Sequence, residues 1–197
     1  MRRAAEENNA RVDTAYNSSG PKLPFSDREC DRVVRWAEER AVWNQIAEDV
    51  DFPDLGACLN RFSYMALGEH ELGRALAWLP CKIANFVESL NNQIWRFNIT
   101  GLSQLHMQRF DAGDQVSFHK DLTSETCNEK LAVILQLSGP TDYEGGVFEY
   151  GFGPASMASR ERGAVLVFPT WAPHRIRPVT SGRRYAIACF ALGPSFR

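Results

Sequence analysis

The sequence predicts an α+β, β-rich chain, helical in its first half and folded in its second as a double-sheet jelly roll or barrel. Three observations carry this. The 197 residues are 44% hydrophobic and 23% charged, which suits one ordinary globular core. Two segments before residue 95 place apolar residues at helical spacing. From about residue 95 onward the chain breaks into short β-prone runs separated by Gly, Pro, Asp and Ser.

Residues 1–20 are rich in Glu, Asn, Arg and Ser and poor in large apolar side chains, so they are expected to form a flexible tail. One domain is expected over 21–197, with its jelly-roll core starting at about 95. Ser26-Asp27-Arg28-Glu29 has the capping-box pattern behind Phe25, and Val33, Val34, Trp36 and Ala37 supply an apolar face, so a helix starts there. Phe52-Pro53-Asp54-Leu55-Gly56 breaks the pattern, and 61–67 reads as a short strand. A second helix is expected over roughly 69–92, interrupted at Pro80. In it Ile83, Phe86, Val87 and Leu90 fall at i, i+3, i+4 and i+7, a stripe that would pack on a sheet. Strands are then expected near 105–110, 115–119, 131–137, 147–150, 164–168, 175–179 and 185–192. Two sheets built from such runs, with the helices against one of them, form the predicted architecture.

Charge excludes several functions. The 22 basic and 24 acidic side chains give a formal net charge of −2 and gather into no basic stripe, so no nucleic-acid partner is expected. No run approaches the ~18 apolar residues of a membrane span, and the start of the chain turns acidic where a signal peptide would be apolar. A cytoplasmic protein is expected. The five cysteines are odd in number, widely spaced and free of Cys-x-x-Cys, which argues for free thiols and against disulfides or a thiolate zinc site. Oligomeric state is not written in the sequence.

The chemistry concentrates in four histidines. His119-Lys120-Asp121 sets an imidazole and a carboxylate two residues apart, and on an extended strand both project from one face. His174 begins a later predicted strand. Two imidazoles and a carboxylate form the facial triad of non-haem Fe(II) oxygenases. A His-x-Asp alone is commonplace and reads equally as a surface pair. Arg184, ten residues past His174, adds a guanidinium able to grip a carboxylate through two parallel bonds. Strand alternation allows only one of Arg183 and Arg184 to point inward. His70 and His106 are expected to be structural or exposed. Trp95, Phe118, Phe168 and Trp171 are expected in the core, with Trp171 near enough to His174 to face the pocket.

Taken in order, Trp95-Arg96-Phe97, Gln108-Arg109-Phe110-Asp111-Ala112-Gly113-Asp114, His119-Lys120-Asp121, 131–138, Tyr143-Glu144-Gly145-Gly146, Pro169 and 174–185 resemble the catalytic core of the Fe(II)/2-oxoglutarate-dependent dioxygenases. The likeness is strongest to the prolyl 4-hydroxylase-like branch with its PKHD-type hydroxylases. It covers roughly the C-terminal half and implies a double-stranded β-helix (jelly roll). It further implies His119, Asp121 and His174 as iron ligands, Arg184 on the distal carboxylate of 2-oxoglutarate, and O2 as second co-substrate, with ascorbate as reductant. The implied reaction hydroxylates an aliphatic C–H while 2-oxoglutarate becomes succinate, and Asp121 favours hydroxylation over halogenation. The implied substrate is a prolyl or other amino-acid residue of a protein or peptide; a free amino acid or small metabolite is the alternative. A non-catalytic binding module on the same scaffold is a third reading. Phe110 stands where many relatives carry a Tyr that bonds 2-oxoglutarate; Gln136 is the candidate replacement. Substrate contacts are expected from 49–60 and from the loop 149–161, where Tyr150, Phe152 and Arg160 lie.

Overall fold

The computed structural model describes residues 14–20, 22–40, 42–52, 56–151 and 155–196. In chain order it contains β1 (Tyr16–Asn17), α1 (Asp27–Arg40), β2 (Asn44–Phe52), β3 (Gly56–Leu67), α2 (Glu69–Leu76), α3 (Trp78–Gln93), β4 (Gly101–Leu102), β5 (Leu105–Phe110) and β6 (Val116–His119). There follow β7 (Glu129–Gln136), β8 (Tyr143–Gly145), β9 (Phe148–Tyr150), β10 (Ser156–Met157), β11 (Val165–Pro169), β12 (His174–Ile176), β13 (Val179–Gly182) and β14 (Arg184–Leu192).

Two antiparallel sheets face each other as a jelly roll. The larger runs β1-β11-β7-β14-β5-β3-β2, with β4 also on β14; the smaller runs β10-β9-β12-β6, and β8 pairs β13. Alternation along the central strands sorts side chains into two cores. On β14, Tyr185, Ile187, Cys189 and Ala191 join the helices, as do Leu131, Val133 and Leu135 of β7. The opposite side, between the sheets, gathers Phe110, Ala132, Phe148, Leu166 and Phe168.

The helices form for local reasons. Ser26 and Glu29 bond reciprocally at the start of α1: the Ser26 N–H donates to Glu29 Oε2 at 2.8 Å, and the Glu29 N–H donates to Ser26 Oγ at 3.4 Å. Ile83, Val87 and Leu90 are buried against the sheet, and Phe86 packs beside them.

Several expectations are corrected. Pro80 does not interrupt a helix. It occupies the first turn of α3, where its missing N–H has no intrahelical acceptor to lose. The break lies earlier, at Gly73 with φ 50° and at the α2–α3 junction. The strand expected over 61–67 is the end of a longer one, β3, paired from Gly56 to Tyr64 with the unforeseen β2. The run 175–179 divides into β12 and β13. Tyr143-Glu144-Gly145 is strand β8, and Gly145 is obligatory because a Cβ there would run into Pro178 O and Thr180 N.

The expected tail includes residues that the fold holds. Tyr16 and Asn17 pair with Val167 and Leu166, and the Trp95 indole N–H donates to Thr14 O at 2.8 Å. Residues 1–13 lie outside the described chain.

Candidate metal and carboxylate site

The antiparallel pairing of β6 with β12 sets His119 directly opposite His174, with ring centroids 4.1 Å apart. Each ring is fixed by the backbone two residues upstream. His119 Nδ1 bonds Ser117 O at 2.9 Å and His174 Nδ1 bonds Ala172 O at 3.0 Å. A carbonyl only accepts, so both Nδ1 atoms carry hydrogen and both Nε2 atoms face inward as potential ligands.

Asp121 reaches the same point from beyond the end of β6, rather than from the extended strand that its spacing to His119 suggests. Its N–H and that of Leu122 donate to Thr170 O at 3.0 and 3.1 Å, and Thr126 Oγ1 donates to Asp121 O at 2.7 Å. These bonds turn the chain so that Oδ1 lies 3.4 Å from His119 Nε2 and Oδ2 lies 3.6 Å from His174 Nε2. Ligand atoms of the three residues all lie within 4.8 Å of one another. Two neutral imidazole nitrogens and one carboxylate, converging with their outer nitrogens already satisfied, fit a divalent metal of the first transition row.

Burial and mutual charge set the electrostatics. Burial pushes the Asp121 carboxyl up, yet the two imidazoles outweigh it and hold it below the usual carboxylate value. Burial pulls His119 down, but its bond to Asp121 keeps it above the ordinary imidazole value, while burial holds His174 below it. Glu129 is pushed up to about 7 by burial and by the Asp121 charge, and no sequence pattern marks it.

Beside the three residues lies a cavity of about 180 Å³, lined by Ile46, Phe62, Val116, Ile134 and Phe190 and by the carboxamides of Asn60 and Gln108. It is closed from one side by the β2–β3 hairpin, where Arg61 bridges to Gln115 and the Ser117 N–H donates to Asn60 Oδ1 at 3.2 Å. Of the segment 49–60 only Asn60 is described at its side chain.

A second pocket adjoins this cavity across Ile134 and Phe148, and Arg184 lines it. Arg184 is 2% exposed and its Nη1 has no hydrogen-bond partner among the described residues. A buried guanidinium with an unused N–H fits an incoming carboxylate. Arg183 points the other way, donating to Asp111 Oδ1 at 2.6 Å and Tyr185 OH at 3.2 Å. Phe110 is fully buried, stacks on Phe62 at 5.1 Å and lies 5.3 Å beneath Arg184. Gln136 is buried; its Nε2 donates to Ser138 O at 3.0 Å and to the Tyr143 hydroxyl at 3.1 Å. Tyr143, to which the sequence analysis gave no role of its own, therefore brings a phenol to this pocket.

Trp171 packs edge-on against Phe97 and Phe196. Tyr150 stacks on Phe168, whose ring lies 4.9 Å from His174. Trp95 is in the helix-side core, and Phe118 is covered by the Arg175 guanidinium at 4.4 Å. His106 lies against Tyr64 away from the site, whereas Phe152 and the His70 side chain are outside the described residues.

With the geometry in hand, comparison with known proteins points one way. The family model of the 2OG-Fe(II) oxygenase superfamily matches residues 105–192. A PKHD-type hydroxylase of Stenotrophomonas maltophilia is 31% identical over 88 residues, 40% of this chain and 38% of that protein. One from Sphingopyxis alaskensis is 28% identical over 90 residues, 43% and 41% respectively. The chain thus matches about two fifths of the length of these curated relatives. Among solved structures, a Pseudomonas putida prolyl-4-hydroxylase superposes with a TM-score of 0.67 at 13% identity, covering 98% of both chains. A Trichoplax adhaerens prolyl hydroxylase, solved with a hypoxia inducible factor oxygen degradation domain peptide fragment, gives 0.70 at 16% identity, covering 98% of this chain and 93% of that one. A non-heme alpha ketoglutarate dependent carbocyclase from nogalamycin biosynthesis gives 0.69 at 12%, covering 95% and 83%. Identities this low show the shared fold alone.

Proposed function

We propose that this chain, whose residues 105–192 belong to the 2OG-Fe(II) oxygenase superfamily in its prolyl hydroxylase-like branch, hydroxylates an aliphatic C–H of a prolyl or other amino-acid residue in a protein or peptide. The observation that carries this reading is the convergence of His119, Asp121 and His174. The prolyl preference draws on the PKHD-type and prolyl hydroxylase relatives. Free thiols at Cys30, Cys81, Cys127 and Cys189 favour a reducing, cytoplasmic setting. Among the described residues no helix is long and apolar enough to cross a membrane.

In this mechanism Fe(II), with 2-oxoglutarate and O2, supplies the oxidising power for hydroxylation when bound. His119 and His174 offer Nε2 and Asp121 a carboxylate oxygen to hold the metal. The backbone bonds at Nδ1 keep both rings aimed, and the Phe148 and Phe168 rings pack against His174. Arg184 takes the distal carboxylate of 2-oxoglutarate, and Phe110 beneath it keeps water from competing for that guanidinium. The apolar walls of the 180 Å³ cavity hold the aliphatic part of the substrate and exclude bulk water, with Asn60 and Gln108 left to orient its amides.

The test is conversion of 2-oxoglutarate to succinate with Fe(II) and ascorbate. Mass spectrometry is run alongside on proline-containing peptides and on free amino acids, looking for the gain of one oxygen atom. Oxygen gain on peptides supports the reading, and gain only on free amino acids moves it to the small-metabolite alternative. Asp121→Ala is expected to lower turnover by at least about 10³-fold and to abolish Mn(II) binding by calorimetry, with the thermal midpoint moved by only a few degrees. Turnover that survives the substitution unchanged would falsify the ligand assignment. A folded, iron-loaded sample with no turnover on any substrate would favour the binding-module reading.

A further inference from the structure

The pocket that holds Arg184 contains a second guanidinium. It is lined by Asn17, Gln136, Tyr143, Ser159 and Arg160 together with apolar side chains, and among the described residues no acidic one lines it. Arg160 Nε is buried and, like Arg184 Nη1, has no hydrogen-bond partner among the described residues. Two cations beside one slot, each with an unused N–H and neither with a carboxylate there, leave an electrostatic debt that an entering anion would settle.

Arg160 is held in place rather than adrift. Its Nη2 donates to Tyr143 O at 2.6 Å, and its guanidinium lies 4.4 Å over the Tyr143 ring. The loop that carries it is tied to β1, since Asn17 Nδ2 donates to Met157 O at 3.3 Å and the Ser159 N–H donates to Asn17 Oδ1 at 3.0 Å. The Tyr143 hydroxyl already accepts from Gln136, so its own proton is the one it can give. The slot is narrow, about 10 Å³, which suits the end of a ligand and not its body.

We infer that Arg160 is a second anchor for the distal carboxylate of the 2-oxo diacid, acting beside Arg184 and the Tyr143 hydroxyl and compensating for the phenol that Phe110 lacks. This rests on the reading of the Arg184 pocket as the co-substrate site. A cation pair there makes the site more selective for a diacid over a monoacid than one arginine would.

The test is calorimetric titration of the full chain, loaded with Mn(II), using 2-oxoglutarate and 2-oxopentanoate, which has the same carbon chain without the distal carboxylate. The quantity read is the ratio of their dissociation constants. Arg160→Gln is expected to lower the preference for 2-oxoglutarate by about tenfold to a hundredfold while 2-oxopentanoate binds as before. Arg160→Lys, which keeps the charge and loses the fork, should fall between the two. Should the Gln variant not fold, Arg160→Met keeps the packing over Tyr143 and carries the same expectation. If Arg184→Gln collapses the ratio and Arg160→Gln or Arg160→Met leaves it unchanged, Arg160 is no anchor. Weakening of both ligands to the same degree would likewise reduce Arg160 to a loop-positioning residue and overturn the inference. If Arg184→Gln also leaves the ratio unchanged, the pocket does not take the diacid and the underlying reading fails with it.

Discussion

The two faces of the larger sheet are made by the same strands yet composed in opposite ways. Toward the helices, β7, β11 and β14 present Leu131, Val133, Leu135, Val165, Val167, Ile187 and Cys189, all closely buried. Toward the smaller sheet the alternate positions hold Ala132, Gln136, Arg184 and Ala188 beside Phe110 and Phe168. The first face is mostly branched hydrocarbon and carries the stability. The second gives up side-chain volume at its alanines and accepts buried polar groups, and the space and unsatisfied hydrogen bonds so created are the site. Adjacent residues on one strand therefore answer to different demands.

Substitutions at paired positions sharpen this contrast. The largest effect on folding is expected on the helix side: Leu135→Ala should cost about 2–5 kcal/mol in urea unfolding, while protein that remains folded binds Mn(II) as before. Ala188→Leu, on the other face of the neighbouring strand, should do the reverse, lowering turnover at least about tenfold with the thermal midpoint within about 4 °C of the parent, because the added carbons enter the cavity and not a packed core. Equal effects of the two on stability would break the comparison.

Next in size is the support behind His174. Glu149 of β9 is 3% exposed and accepts from Arg175 Nε at 2.6 Å and Arg177 Nε at 2.7 Å, on either side of Ile176 in β12. Burial pushes this carboxyl up, but the two guanidiniums outweigh it and hold it below the usual value. A depressed acid adds stability that is present above its unfolded value and lost as pH falls through the folded one. Glu149→Gln is therefore expected to cost about 2 kcal/mol at neutral pH, with the gap to the parent closing as unfolding is measured below about pH 4.5. The smallest expected effect is far from the site: Ser26→Ala removes one half of the α1 capping box and should cost about 1 kcal/mol by thermal melting.

Much of the fold was legible because local signals and tertiary structure agree. Capping residues mark α1, and the runs that became β5, β7, β11 and β14 are apolar enough to announce themselves. What escaped depended on partners outside the segment itself. Asn44–Phe52 is polar and alternates weakly, and becomes β2 only by pairing with β3. Tyr16 and Asn17 have nothing to bury until β11 offers an edge. At the site, the residue types and spacing of His119, Asp121 and His174 are plain in the sequence, whereas the turn that delivers Asp121 is built from Thr170 O and Thr126, which no short motif connects to it. Tyr143 and Arg160 were unreadable as neighbours of Arg184 because only the meeting of β8 with the loop before β11 brings them there.

The anchoring of both imidazoles by main-chain carbonyls has a practical corollary. Ser117 and Ala172 hold the rings through main-chain oxygens, which every amino acid possesses, so neither bond depends on a particular side-chain chemistry at those positions. Laboratory evolution of the surrounding wall can therefore explore new reactants broadly while the ligand geometry stays fixed.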